Sequence, residues 1–104
     1  MMVATIDMYA VQRDLAYDGW QALPDRHGSG KPPSMYLERT RGNVIEKLVI
    51  EHITPVPYGA PRYSVEYRKN GEYFRAFTID ESLTIRDTRI EKQWEEILRE
   101  ASSK

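Results

Sequence analysis

Cysteine is absent from this chain of 104 residues, which removes disulfide staples and thiolate-bound metals from consideration and fits a reducing compartment. Histidine is nearly as scarce: there are two, His27 and His52. A zinc site needs further ligands at short spacing, and no cluster of histidines or carboxylates surrounds either one. No metal and no other cofactor is therefore expected. Long apolar runs are missing as well. Nothing approaches the ~18 residues of a membrane span, so no membrane partner is expected. The opening MMVATIDMYA lacks the basic segment and apolar block of a secretory signal, which makes the cytoplasm the expected location. There is no basic excess either, since 15 Lys and Arg stand against 16 Asp and Glu for a net charge of −1. A dedicated nucleic-acid binder carries a plainly basic domain.

Catalytic groupings are equally sparse. Without cysteine the candidate nucleophiles are Ser29, Ser34, Ser64 and Ser82, and none sits in a G-x-S-x-G elbow. The adjacent carboxylates Asp80-Glu81 and Glu95-Glu96 fit a turn and the wet face of a helix. His52 fits a strand-end imidazole with a local hydrogen bond; the sharper alternative is a general base working with Glu51 or Glu66. No catalytic residue is assigned, and the chain reads as a non-enzyme.

Glycine and proline concentrate in two stretches, LPDRHGSGKPPS (23–34) and TPVPYGAP (54–61), which read as mobile loops within a single domain spanning 1–104. GSGK in the first resembles the end of a phosphate-gripping loop. Such a loop needs a glycine five positions before its Gly-Lys, a Ser or Thr after the lysine, and a helix whose amides face the phosphate. Here Asp25 occupies the first position and Pro32-Pro33 follow Lys31. Consecutive prolines favour an extended course, so no helix continues from that lysine. It is a surface connection.

Alternation supplies the positive signals. In YSVEYRKNGEYFRAFTI, Asn70-Gly71 between aromatic and β-branched runs predicts a hairpin with a two-residue turn. Unbroken pairing from that turn sets Arg68 opposite Tyr73, Tyr67 opposite Phe74, Glu66 opposite Arg75, Val65 opposite Ala76, Ser64 opposite Phe77 and Tyr63 opposite Thr78. One face then collects Tyr63, Val65, Tyr67, Phe74 and Ala76. The other carries Arg62, Glu66, Arg68 and Arg75, with Tyr73, Phe77 and Ile79 among them.

SMYLERTRGNVIEKLVIEHI admits two readings. Val44, Ile45, Leu48, Val49, His52 and Ile53 share a helical face, but a hairpin turning at Gly42-Asn43 sets Arg39 against Glu46, Glu38 against Lys47, Leu37 against Leu48 and Met35 against Ile50. Those matched pairs and the β-branched content favour strand. The C-terminal segment predicts a helix, capped by Thr88 with Glu91 and carrying an apolar stripe of Ile90, Trp94, Ile97, Leu98 and Ala101. SLTIRD before it suggests a short fifth strand. Residues 4–17 fit a helix through Met8, Val11 and Leu15, or a strand through Ala4, Ile6 and Met8; the helix is preferred, with Asp18-Gly19 as its stop.

The predicted fold is α+β: a four- or five-stranded antiparallel meander with the C-terminal helix packed on one face and a short N-terminal helix. Both hairpins show apolar side chains on both faces, whereas a sheet with one wet face alternates more cleanly. Either helices cover both faces or a partner buries one; with one clear helix in so small a domain, a partner is expected. The function predicted is that of a small protein-interaction or accessory module whose partner is a second copy of the chain.

The charge distribution leaves one alternative. From Arg62 to Arg75 there are four basic and two acidic residues, while Asp80 to Glu100 has seven acidic and four basic. PRYSVEYRKNGEYFRAF (61–77) resembles the arm-binding sheets at the start of phage-type integrases, with aromatics and basics alternating around a turn. The resemblance implies nucleic-acid binding, with Arg62, Arg68, Lys69 and Arg75 on phosphates and Tyr73 or Phe77 stacking or wedging. The acidic final helix departs from that pattern. A small ribonuclease-like toxin, built from a similar sheet with Arg, Tyr and His residues, is a second alternative. Arg62, Arg68, Tyr73, Arg75 and Phe77 are the candidate binding residues.

Overall fold

Two reverse turns organise the chain. The computed structural model describes residues 4–23, 34–54 and 59–102. GSGK, His27, most of the first Pro/Gly-rich stretch and half of the second lie outside them. The elements are β1 (Ala4–Thr5), α1 (Met8–Ala16), β2 (Gln21–Ala22), β3 (Met35–Arg41), β4 (Val44–Ile53), β5 (Arg62–Lys69), β6 (Glu72–Asp80), β7 (Thr84–Ile85) and α2 (Thr88–Ser102). Strands β2 to β6 form one antiparallel meander in sequence order, so the fold is α+β as the alternation predicts.

The first hairpin has the predicted register, with Arg39 opposite Glu46, Glu38 opposite Lys47, Leu37 opposite Leu48 and Met35 opposite Ile50. Of its two turn residues only Gly42 has positive φ (58°), as a type II′ turn has it, while Asn70 (51°) and Gly71 (83°) are both left-handed, as type I′ demands. A Cβ on Gly71 meets no atom within 4 Å, so Gly71→Ala tests backbone strain alone. It is expected to lower stability by about 1 kcal/mol, read as a shifted urea midpoint with an unchanged slope.

The second hairpin corrects the predicted register. Arg68 does face Tyr73, but a bulge follows, so Tyr67 pairs with Arg75, Glu66 with Ala76, Val65 with Phe77, Ser64 with Thr78 and Tyr63 with Ile79. Burial explains the slip. Unbroken alternation would turn Ala76 and Thr78 inward; one extra residue after Phe74 keeps Phe74 on Tyr67 (ring centroids 5.6 Å apart) and brings Phe77 and Ile79 to the core. The larger side chains remove more apolar area from water, at roughly 25 cal/mol per Å². The predicted Glu66–Arg75 pair is lost. Glu66 binds Arg68 instead (2.8 Å) and Arg75 binds Glu96 (2.6 Å).

Both readings of the N-terminal segment have a place. Ala4–Thr5 is a strand, and the helix starts at Met8 because Asp7 caps it, its Oδ1 accepting from the Ala10 N–H at 3.1 Å. Two further expectations are corrected. Thr84–Ile85 pairs with β1 in a separate two-stranded ribbon, and the fifth strand of the main sheet is β2, laid on β3. The cap of α2 is Asp87, not Thr88: Asp87 Oδ1 accepts from the Arg89 N–H (2.8 Å) and its carbonyl from the Glu91 N–H (2.9 Å). A carboxylate accepts from backbone amides at least as well as a hydroxyl, and starting one residue earlier closes another helical bond. The predicted stripe holds: Trp94, Ile97 and Ala101 are buried, with Ile90 and Leu98 at the margin.

All of this packs on one side of the sheet. Leu15 of α1, Trp94 and Ile97 of α2, and Ile85 of β7 share a core with Met35, Leu37, Leu48, Ile50, Tyr63, Val65 and Tyr67. No helix of the described residues is long and apolar enough to cross a membrane.

Candidate functional site

The core side of the sheet contains an ion cluster. Arg39 and Glu46 alternate inward with their apolar neighbours and face each other across β3 and β4, leaving Arg39 4% exposed and Glu46 0%. Arg39 grips the carboxylate with two parallel bonds, Nε to Oε1 and Nη2 to Oε2, both 2.9 Å. Arg41 adds a bond to Oε1 (2.7 Å), and the Tyr67 hydroxyl donates to Oε2. Burial pushes the Glu46 carboxyl up, but the Arg39 and Tyr67 hydrogen bonds and the charges of Arg39 and Arg41 outweigh it and hold the group below the usual carboxylate range. The Tyr67 hydroxyl is driven up by burial and by its acceptor Glu46.

The same guanidinium reaches beyond its partner. Arg39 donates to the carbonyls of Asp18 (3.2 Å) and Glu100 (3.3 Å), and Trp20, whose ring lies 4.9 Å beneath it, donates from Nε1 to Ala101 O (2.8 Å). Two carbonyls left over at the end of α2 are thus satisfied by side chains from elsewhere in the chain. With both oxygens of Glu46 engaged by cations and a hydroxyl, the cluster is built to fasten α2 and the 18–20 turn to the sheet, not to exchange protons. Cross-strand pairing predicted that Arg39 and Glu46 face each other; it made no statement of their burial, because pairing says nothing about which face is roofed.

The opposite face has no helix over it among the described residues. Across it run rows of cross-strand neighbours: Tyr36, Val49, Glu66 and Ala76; Glu38, Lys47, Arg68 and Tyr73; Glu51, Ser64 and Thr78. Leu23, Tyr36 and Val49 floor a depression of about 200 Å³, and Lys47, Arg68, Glu51 and Glu66 rim it. Arg68 is fixed there by Glu66 and by the Tyr73 hydroxyl (2.6 Å), its guanidinium 4.3 Å from the Tyr73 ring centroid. Tyr73 remains 60% exposed and Ile45 44%. The face thus mixes aromatic, aliphatic and charged side chains.

The five candidate binding residues are divided by the bulge. Arg62, Arg68 and Tyr73 belong to the open face. Arg75 is turned to α2 and held by Glu96, with its guanidinium 4.6 Å from the Phe74 ring centroid, and Phe77 packs against the core. His52 Nε2 lies 2.9 Å from Glu81 Oε2 and its ring meets Tyr63 edge-on at 5.2 Å; its carboxylate neighbour is therefore Glu81, not Glu51 or Glu66. Among the described residues no group of three or more acidic or histidine side chains is placed to hold a metal ion. The chain matches no family model, no curated protein and no solved structure.

Proposed function

We propose that this protein is a non-enzymatic interaction module that self-associates through the open face of its sheet. One observation carries the reading: around an apolar floor, the face interleaves acids (Glu38, Glu51, Glu66, Asp80) with bases (Lys47, Arg62, Arg68) in nearly equal number, and Asp80 is matched by Arg86. A two-fold axis sets each residue of such a patch against another of the same patch, so a balanced face complements itself where a single-sign face repels its copy. A phosphate backbone selects the reverse, a face with net positive charge. The clamp of Glu66 and Tyr73 on Arg68 further reduces what that guanidinium offers to phosphate.

Sedimentation equilibrium across a concentration series is expected to give a species of twice the 12.2 kDa chain mass. Val49→Lys, which places an unbalanced charge on the half-buried floor, is expected to leave the far-ultraviolet circular dichroism unchanged and to yield the monomer. A wild-type chain that stays monomeric at every concentration, or a Val49→Lys chain that still dimerises with undiminished affinity, overturns the proposal.

A further inference from the structure

We infer that the free edge of β6 is a docking site for an acidic, extended peptide, which adds as a sixth strand beside α2. The surface is distinct from the open face and does not depend on self-association.

The two edges of the sheet differ. β2 has two residues and offers little to pair with. β6 has nine, from Glu72 to Asp80, and no strand lies on its outer side among the described residues. Edge strands are ordinarily blunted by charge, proline or a bulge. The bulge here falls near the turn, and the run Ala76–Ile79 beyond it is regular, uncharged and free of proline. Counting outward from the two-residue turn, Ala76 and Thr78 fall at positions whose backbone N–H and C=O point away from β5, and both residues are exposed.

What flanks this edge selects the peptide. Between β6 and α2 runs a cleft of about 510 Å³, with Phe74 and Ala76 on one wall and Arg89, Lys92 and Gln93 on the other. The lining also includes Arg75 and Glu96, which are paired with each other (2.6 Å), and Glu100 further along α2 is paired with Lys69 (3.0 Å). Arg89 is held only loosely by Asp87 (3.6 Å) with its side chain 90% exposed. The cleft therefore keeps a local positive excess beside a backbone template. A strand added to β6 points every second side chain toward α2, so acidic residues at alternate positions meet Arg89 and Lys92 while backbone hydrogen bonds supply the rest. A second copy fits poorly here: two-fold pairing of β6 with itself brings Arg89 and Lys92 of both helices together.

The test uses a fluorescein-labelled ten-residue peptide of alternating Glu and Val, read by fluorescence anisotropy against the full chain. Saturable binding that weakens with salt is expected, with no binding of the Lys-Val counterpart and none of a Glu-Val peptide N-methylated at every second residue, which keeps the charges and removes the donors. The double variant Arg89→Glu/Lys92→Glu, checked for folding by circular dichroism, is expected to weaken binding at least about tenfold. Failure of the Glu-Val peptide to bind overturns the inference, as does equal binding of the Lys-Val or N-methylated peptide, or an affinity unmoved by the charge reversal. The Val49→Lys chain is expected to bind the peptide as the wild type does, so loss of self-association and loss of docking are separable results.

Discussion

Glu46→Ala is expected to destabilise the protein by about 3–5 kcal/mol, because it leaves Arg39 buried without a counter-charge. For a domain of this size that loss lowers the thermal midpoint by roughly 15–30 °C and brings the chain close to unfolding, since total stabilities of small domains are about 5–15 kcal/mol. The cost lies in the orphaned cation and not in the pair itself. Replacing the cluster as a unit with Arg39→Met, Glu46→Leu and Tyr67→Phe is expected to recover most of the loss. Urea denaturation of both variants checks the contrast; a Glu46→Ala chain within about 1 kcal/mol of wild type removes the cluster from its fastening role.

The pH dependence has a worked sign. Glu46 titrates lower in the folded state than in the unfolded chain, so its contribution is present above the unfolded carboxylate value and is lost as pH falls through the folded one. Tyr67 titrates higher when folded, so its contribution is complete below the unfolded phenol value, about 10, and is lost as pH rises through the folded one. Both ends of the stability profile thus depend on one cluster. In the Met/Leu/Phe triple variant, both limbs are expected to flatten relative to wild type.

Trp20→Ala is the second large effect, expected at about 3–5 kcal/mol for a buried indole removed from the core. The residue is 4% exposed, meets Tyr67 edge-on at 6.2 Å, and carries the hydrogen bond to Ala101 O. Trp20→Phe separates the two parts: it keeps most of the packing but leaves that carbonyl without its indole donor, for an expected loss of about 1–3 kcal/mol. Because Arg39 binds the neighbouring Glu100 carbonyl, Trp20→Phe and Glu46→Ala act on the same helix end, and their combined effect is expected to be less than additive. Trp20 and Trp94 are the chain's two tryptophans, so intrinsic fluorescence reports on the unfolding directly. Additive losses would mean that the two contacts do not hold α2 as a unit.

The strands and the final helix were legible because local pattern and burial agreed in them. β3 and β4 combine opposite charges and matched apolar residues in one register, and no other alignment of that segment provides both. In α2 the stripe at helical spacing left little choice. The open face was legible in part: apolar side chains were expected on both faces of both hairpins, and Tyr36 and Val49 are among those on the side away from the core. Edge and bulge were harder. A bulge depends on which of two candidate rows, Ala76 with Thr78 or Phe77 with Ile79, is to lie under a helix, and local alternation does not say where the helix will be. The cleft beside β6 was illegible for the same reason, since Phe74 and Arg89 meet only after α2 has crossed the sheet.

The amino-acid sequence by itself determined the α+β class, the two turns, the register of the first hairpin and the apolar stripe of α2, because each rests on neighbours a few residues apart whose geometry the backbone sets. Tertiary structure alone decided which face of the sheet was roofed, and with it three outcomes: Arg39 and Glu46 became a buried clamp, the bulge turned Phe77 inward, and β6 was left as a free edge beside a cationic flank. Those outcomes follow from how much apolar area each packing removes from water, a sum over residues distant in the chain.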